Sequence, residues 1–447
     1  MNPNPFFPPE YLRNSEKVLD TALNHLGAYK SWQAYDPGPQ FPIDKRYAAM
    51  PALTKADIRR YFPGGFVPKD YDIDRGLAEG EISLVSSSGS TDDKVTNIWN
   101  QKFWDASEKA SWSLNSHMQR VATGEHPEAI LVNSLNAGII SDEMDLPMEK
   151  RRLARFLYLN EKTNPLLWTD KHYDRMLREL DEFQPVVLEA NPTLLASLSR
   201  YILRHQKKVF QPEVIVLTYE FPSRIYLKQV SQAFKAPLVS SFGTTETGYV
   251  FMQCEAGKFH QNTEYCRVDF QPLQTQHGGP LLGTLLVTTF HNPRYYIVRF
   301  DVGDLARLDE TGECACGRRS GLLLSAVEGR ISNVTLTTQG RLVTLGELDT
   351  ALSILEGIDE YSMRQNAPGS YLLELVTSRS DKNIIKEQAI SILRNLYGRD
   401  GTVNVSFTTA IPPDVSGKYS LAKTTFPIDI KSYYEKLSDR KRGQERE

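Results

Sequence analysis

Apolar positions in the middle of the chain follow two rhythms in turn. Leu194, Leu195, Leu198 and Ile202 recur on one face of a 3.6-residue repeat, behind Asn191 as cap and Pro192 in the first turn, which predicts a helix. The unbroken apolar run Val214 to Leu217 then predicts a buried strand. The pair repeats at once. A helix opened by Pro222 carries Tyr226, Val230 and Phe234 at regular spacing, and a strand Leu238 to Ser241 ends in a Gly/Thr-rich turn. Strand and helix alternate in this way from Ile82 onward, and such alternation predicts a layered α/β unit with a largely parallel sheet. Ligands of such sheets bind beyond the strand ends.

The C-terminal part has its own smaller pattern: a helix near Glu347 to Leu355, a strand Tyr371 to Val376, a helix Lys382 to Tyr397 and a strand Thr402 to Phe407. The expected organisation is a large N-terminal layered α/β domain over 1–329 and a smaller C-terminal α+β domain over 330–447, joined by a hinge. The segment before Ile82 shows only weak helical stretches such as Ser15 to Leu26, interrupted by Pro37, Pro39 and Pro42, and carries no readable chemistry. The Lys-, Arg- and Glu-rich C-terminus reads as a solvated tail.

Composition narrows the class of function. A chain of 447 residues with 40% hydrophobic and 24% charged residues is an ordinary globular protein of two or three compact units. A formal charge of -3 and a pI near 6.3 give no broad attraction for nucleic acid or an acidic membrane, so neither is an expected partner. The N-terminus MNPNPFFPPEY lacks the basic start and apolar run of a signal peptide, and the expected location is cytoplasmic. Four cysteines are too few for a disulfide framework in a chain this long, which leaves thiols or metal ligands.

Several segments could carry chemistry. After a strand Glu81 to Val85, the run Ser86, Ser87, Ser88, Gly89, Ser90, Thr91 offers hydroxyls and a close backbone approach to phosphate oxygens, although it lacks the Gly-Lys-Ser/Thr ending of a Walker loop and could be a plain Ser-rich turn. Phe242, Gly243, Thr244, Thr245, Glu246 and Gly248 form a turn in which an aromatic could stack on a base, threonines could donate to phosphate and Glu246 could hold Mg²⁺; a capped, solvated turn is the alternative. Asp304, following Gly303 at a turn between apolar segments, could accept from ribose hydroxyls. Gly329, Arg330, Ile331, Ser332 and Asn333 read as a hinge, with Gly340 and Glu347 downstream. Ser416, Gly417 and Lys418 lie in an approach segment after Pro412 and Pro413. Cys254 with His260, and Cys314 with Cys316, form two separated pairs that match the logic of a closed Cys₃His zinc site; four reduced thiols beside a surface histidine are the alternative, and Cys266 could replace a ligand.

The order and spacing of these segments, from about Ile82 to Lys423, resemble the adenylate-forming superfamily, and the phenylacetate-coenzyme A ligase branch most of all. The resemblance implies an AMP-forming acid ligase that makes an acyl-adenylate from ATP and a small, aromatic acid and passes the acyl group to coenzyme A. It implies Mg²⁺ on Glu246; phosphates on Thr244, Thr245 and the Ser87, Ser88, Gly89, Ser90, Thr91 loop, with Thr91 among the catalytic groups; adenine on Phe242, with Gly243 also among the cofactor-binding residues; ribose on Asp304 and Arg330; Glu220 near the nucleotide; Lys418 as the mobile cation; Ser332 as the hinge; and Gly340 lining a thiol channel. Some members of the branch look similar at the cysteines, which fits a structural Zn²⁺. Asn133 to Gly138 and Tyr249 are candidates for the acid pocket, though apolar core reads equally well there.

Two positions depart from the family pattern. Asp92, Asp93 and Lys94 stand where the phosphate loop usually continues Gly-Lys-Pro, and Ser332 stands where the hinge usually holds Asp or Lys. A carrier-protein thiol or an amine as acceptor, a homodimer, and a catalytically idle acid- or nucleotide-binding paralogue all stay open at this point.

Overall fold

In a computed structural model describing residues 5–87, 94–122 and 125–435, Asn191 Oδ1 accepts the N–H groups of Thr193 (2.9 Å) and Leu194 (3.2 Å), and Pro192 opens the helix Pro192–Arg204. Leu194, Leu195 and Leu198 on its inner face are buried. Each such side chain contributes roughly 1.5–3 kcal/mol by leaving water. The strands Glu128–Leu131, Val187–Ala190 and Val214–Leu217, and the start of Leu238–Thr244, form the expected parallel sheet, in which Val187–Ala190 pairs with both Glu128–Leu131 and Val214–Leu217. Phe156–Tyr158 adds a further parallel strand beside Glu128–Leu131.

By packing, the chain forms two compact units, one of 1–123, 241–327 and 434–447 and the other of 124–240 and 328–433. The second holds the parallel sheet together with the C-terminal pattern, a four-stranded sheet of Thr402–Thr408, Ser370–Val376, Glu360–Ala367 and Ala422–Thr424 carrying the helix Lys382–Tyr397. The helix expected from Glu347 begins earlier, at Leu345, because Thr344 and Glu347 close a capping box: Glu347 N donates to Thr344 Oγ1 at 3.0 Å and Thr344 N to Glu347 Oε2 at 3.4 Å. The helix expected to open at Pro222 runs Arg224–Ala233, since Ser223 is the side chain that caps it.

The first unit is built on antiparallel strands. Cys266–Pro272, Leu282–Thr289 and Phe300–Leu308 pair in sequence order, and Leu238–Thr244, Gly248–Gln253 and Phe259–Gln261 pair likewise. The segment before Ile82 supplies a long helix, Pro9–His25, and much of this unit's core, including Tyr11, Tyr29, Tyr47 and Phe66. Tyr29 is wholly buried, yet its hydroxyl donates to Tyr296 O (2.9 Å) and accepts from Val298 N (3.0 Å), so its polar atom is satisfied.

Candidate active site

Three neighbouring parallel strands of the second unit deliver polar residues just beyond their carboxyl ends: Asn133, Asn191 and Glu220. The local chain is shaped to present them. Asn191 N donates to Leu131 O (2.8 Å), and Thr218 N to Ala190 O (3.1 Å), extending the ladder past the strands. Glu220 N then donates back to Thr218 O (3.0 Å) across Tyr219, whose φ of 74° marks a tight turn that a bulky residue rarely adopts. The strain aims Glu220 at the strand ends. Its Oε2 accepts from Thr193 Oγ1 at 3.1 Å and its Oε1 from Tyr419 N at 3.2 Å. Burial pushes the Glu220 carboxyl up to about 7, against the opposing pull of Tyr419 N–H, Asn191, Thr193 and the Lys418 charge.

Lys418 is therefore at the parallel strand ends, in a turn fixed by Asp414. Asp414 Oδ1 accepts from Ser416 N (2.8 Å) and Lys418 N (3.2 Å), and Asp414 N donates to Lys418 O (2.8 Å). Asn133 Nδ2 donates to Gly417 O at 3.2 Å. Lys423, by contrast, is exposed on the strand Ala422–Thr424, in parallel register with Arg364. In the same unit Arg330 ends the strand Leu323–Arg330, and Ser332 is exposed in the short turn Ile331–Asn333, where Asn333 Nδ2 donates to Ala422 O at 2.7 Å. Gly340 sits at φ 77° in the turn closed by Thr337 and Arg341, with open space where a Cβ would go.

In the first unit, two of the expected turns are strand. Phe242, Gly243 and Thr244 continue the strand Leu238–Thr244 and pair with Gly248–Gln253, so the turn is confined to Thr245, Glu246 and Thr247. The hairpin needs glycine at 243, because a Cβ there would lie 2.4 Å from Gly248 O. Phe242 is half-buried and packs 6.3 Å from Phe251, ring centre to ring centre. Glu246 is buried, and its charge is felt by the buried Tyr295, whose hydroxyl donates to Asn97 Oδ1 at 3.2 Å. Asp304 lies within the strand Phe300–Leu308: pairing jumps from Asp301–Leu286 to Leu305–Thr284, so Val302, Gly303 (φ 76°) and Asp304 bulge opposite Leu285. A bulge reads in sequence as a turn because both carry a positive-φ glycine. Ser87 is buried, its N–H donating to Val95 O (2.8 Å) and its Oγ accepting from Val95 N (3.0 Å). Ser88, Gly89, Ser90, Thr91, Asp92 and Asp93 lie outside the described residues.

The cysteine pairs come together. The ligand atoms of Cys254, His260, Cys314 and Cys316 lie within 4.8 Å of one another, with Cys254 Sγ 3.5 Å from Cys314 Sγ and Cys316 Sγ 3.2 Å from His260 Nε2. Zn–S bonds of about 2.3 Å in a tetrahedron imply S···S edges of about 3.8 Å, so the donor set and its size fit zinc. Burial, then Arg318, lower His260 to about 4, which leaves a neutral imidazole. Burial pushes Cys254 up to about 12, an effect that a bound dication would reverse. Cys266 stands apart, buried with its Sγ 3.4 Å from Asn262 O. A second cluster, Asp145, Glu161 and His172, has its charge met by Lys162 and Arg175 and reads as an ion-pair network.

Asn191, Thr193 and the turn at Tyr219 were not legible as site features; Asn191 and Pro192 read only as a helix start, which they also are. Trp104 was missed as well: it lies 5.1 Å from Tyr249, whose hydroxyl donates to Glu108 Oε1 at 2.5 Å.

No family model matches the chain. Over 391 residues it is 22% identical to Protein CapK of Staphylococcus aureus, covering 83% of this chain and 79% of that protein. It superposes on 2-hydroxyisobutyryl-CoA ligase in its postadenylation state with 2-HIB-AMP, with a TM-score of 0.68 at 15% identity, over 99% of this chain and 93% of that one. The same ligase with R3-HIB-AMP gives 0.67 at 15% identity, over 97% and 91%. Anthranilate CoA ligase AuaEII with anthranoyl-AMP gives 0.50 at 12% identity, over 76% and 66%. The chain thus has the two-domain α/β fold of adenylate-forming ligases. No helix among the described residues is long and apolar enough to cross a membrane.

Proposed function

We propose that this protein is an AMP-forming carboxylic acid ligase that adenylates a small, aromatic acid with ATP and transfers the acyl group to coenzyme A. The observation that carries this reading is Lys418, a cation held beside Glu220 at the carboxyl ends of parallel strands, in a fold shared with ligases solved with acyl-AMP. In the first step a carboxylate oxygen bonds to the α-phosphorus and the bond to the bridging oxygen breaks, so pyrophosphate leaves with the electron pair. In the second, a thiolate sulfur bonds to the acyl carbon and AMP leaves.

The first step needs positioning and charge neutralisation more than covalent chemistry. Lys418 supplies a point charge for the developing phosphate negative charge. In the first unit Glu246 would hold Mg²⁺ at the hairpin turn, Thr244, Thr245 and the loop Ser87 to Thr91 would meet the phosphates, and Asp304 would take the ribose; in the second unit Arg330 is a further ribose candidate. Phe242 takes the adenine, and Gly243 is a further cofactor-binding residue of the same strand. Half-buried Trp104 and Tyr249 would give the acid an aromatic wall. A small domain, 330–447, swings about Ser332 between the steps, Gly340 helps to keep the thiol channel narrow, and zinc on Cys254, His260, Cys314 and Cys316 is structural.

The test is a panel of aryl and alkyl acids with Mg·ATP, scoring pyrophosphate release and hydroxylamine-trapped acyl-adenylate, with and without coenzyme A. At least one aryl acid should give hydroxamate, and its thioester once coenzyme A is added. Pyrophosphate release from no acid in the panel overturns the reading; hydroxamate without thioester would move the acceptor to a carrier protein or an amine.

A further inference from the structure

The turn that carries Lys418 is gripped on both sides of the lysine. On one side Asn133, itself buried, spends both amide hydrogens, one on Thr163 O (3.0 Å) and one on Gly417 O (3.2 Å), while its Oδ1 accepts from Leu135 N (3.0 Å) to cap the short helix Ser134–Ala137. Thr163 is in turn pinned by Asp142, which accepts from its N–H and its hydroxyl at 2.7 Å each. On the other side Glu220 accepts from Tyr419 N. Residue 417 can only be glycine here, with φ at 78° and a Cβ that would lie 2.5 Å from Asn133 Nδ2. The fit between Asn133 and Gly417 leaves the backbone on either side of Lys418 little freedom to shift.

We propose that Asn133 is a positioning residue for adenylation: by holding the Gly417 carbonyl, opposite the grip of Glu220 on Tyr419 N–H, it fixes the backbone from which Lys418 reaches the reacting phosphate. The proposal rests on the reading of Lys418 as the adenylation cation. Asn133 acts through Lys418 and touches no reacting atom. A displacement of about 1 Å in a charge-stabilising group can cost on the order of a hundredfold in rate, and the loss belongs in kcat because the charge that Lys418 meets develops only in the transition state.

The decisive variant is Asn133→Asp, which keeps size and the oxygen that caps Leu135 but replaces the donor to Gly417 O with an acceptor. Adenylation kcat should fall about a hundredfold with KM for ATP within about twofold. Thioester formation from supplied acyl-adenylate should hold near the parent rate. In a Lys418→Ala background the same change should cost nothing further, since both act on one interaction. Hydrogen exchange at the Lys418 and Tyr419 amides should quicken while the helix Pro192–Arg204 stays protected. Parent-like adenylation in folded Asn133→Asp, or an equal loss with and without Lys418, overturns the proposal. If the parent releases pyrophosphate with no acid, the functional reading fails on its own account, and unchanged exchange at residues 418 and 419 in the variant then overturns the grip as well.

Discussion

Ser223 Oγ lies 2.5 Å from Asp349 Oδ1, and Arg224 N lies 2.8 Å from Asp349 Oδ2, so the capping residue of one helix is fastened to a buried carboxylate on another. Tyr361 OH adds a third donor to the same carboxylate at 2.9 Å. Around it, Arg200 pairs with Glu360, and Arg204 with Asp359 at 2.6 Å. These bonds tie the helices Pro192–Arg204 and Arg224–Ala233 to residues 349–361, and a swing of the C-terminal part about Ser332 has to break them. Asp349→Ala would strand three donors. The expected loss is about 1–3 kcal/mol, the usual cost of a buried polar group left unpaired. Urea unfolding checks it, and a loss below about 0.5 kcal/mol would show that the fastening is marginal.

Glu220 should give the protein a distinctive pH dependence. Its carboxyl is raised from the ordinary 4.5 to about 7 by burial, so between those values the folded state holds a proton that the unfolded chain releases. Stability from this group is therefore present below about 4.5 and lost as pH rises through about 7, with a total of roughly 3 kcal/mol. Glu220→Gln removes the titration. Its stability relative to the parent should rise between pH 5 and pH 8 in paired urea melts, and a difference that does not change with pH would show that Glu220 titrates normally.

The sulfur cluster predicts metal content. Purified protein should hold close to one zinc per chain, and Cys254→Ser or Cys316→Ser should lose most of it. Chelation should lower the melting temperature, because the metal joins the hairpin turn at Cys254 to the loop at Cys314 and Cys316 within one unit. Metal-free protein with an unchanged melting temperature and freely titratable thiols would remove the site.

Much of this was readable in the sequence where one local rule governs. The helix Lys382–Tyr397 and the strand Val214–Leu217 keep their expected bounds because a clean repeat fixes each. The cysteine pairs were legible since ligand types and spacing carry their own chemistry. Asp304 and the residues Phe242 to Thr244 were placed on turns because glycine at a bulge and glycine in a turn leave the same mark. The site partners of Glu220 were hidden for a different reason: Asn191 and Thr193 meet it only when neighbouring strand ends are brought side by side, and no local pattern records that pairing.

Lys418 and Lys423 lie five residues apart in the C-terminal part, and their surroundings separate them. Lys423 is held on a strand in register with Arg364, one cation beside another, and is exposed. Lys418 sits in a turn whose flanking groups are bound by Asn133 and Glu220, and its charge acts on Glu220. A cation aimed at developing phosphate charge can be worth several kcal/mol, so Lys418→Ala should slow acyl-adenylate formation by roughly a thousandfold. Lys423→Ala should leave that rate within about threefold, as a surface charge change does. If the lysine leaves the site before the thiol attacks, Lys418→Ala supplied with ready-made acyl-adenylate should make thioester at nearly the parent rate. Equal losses in both half-reactions would refute the swing about Ser332, and a Lys418→Ala enzyme that adenylates normally would remove the residue from the site.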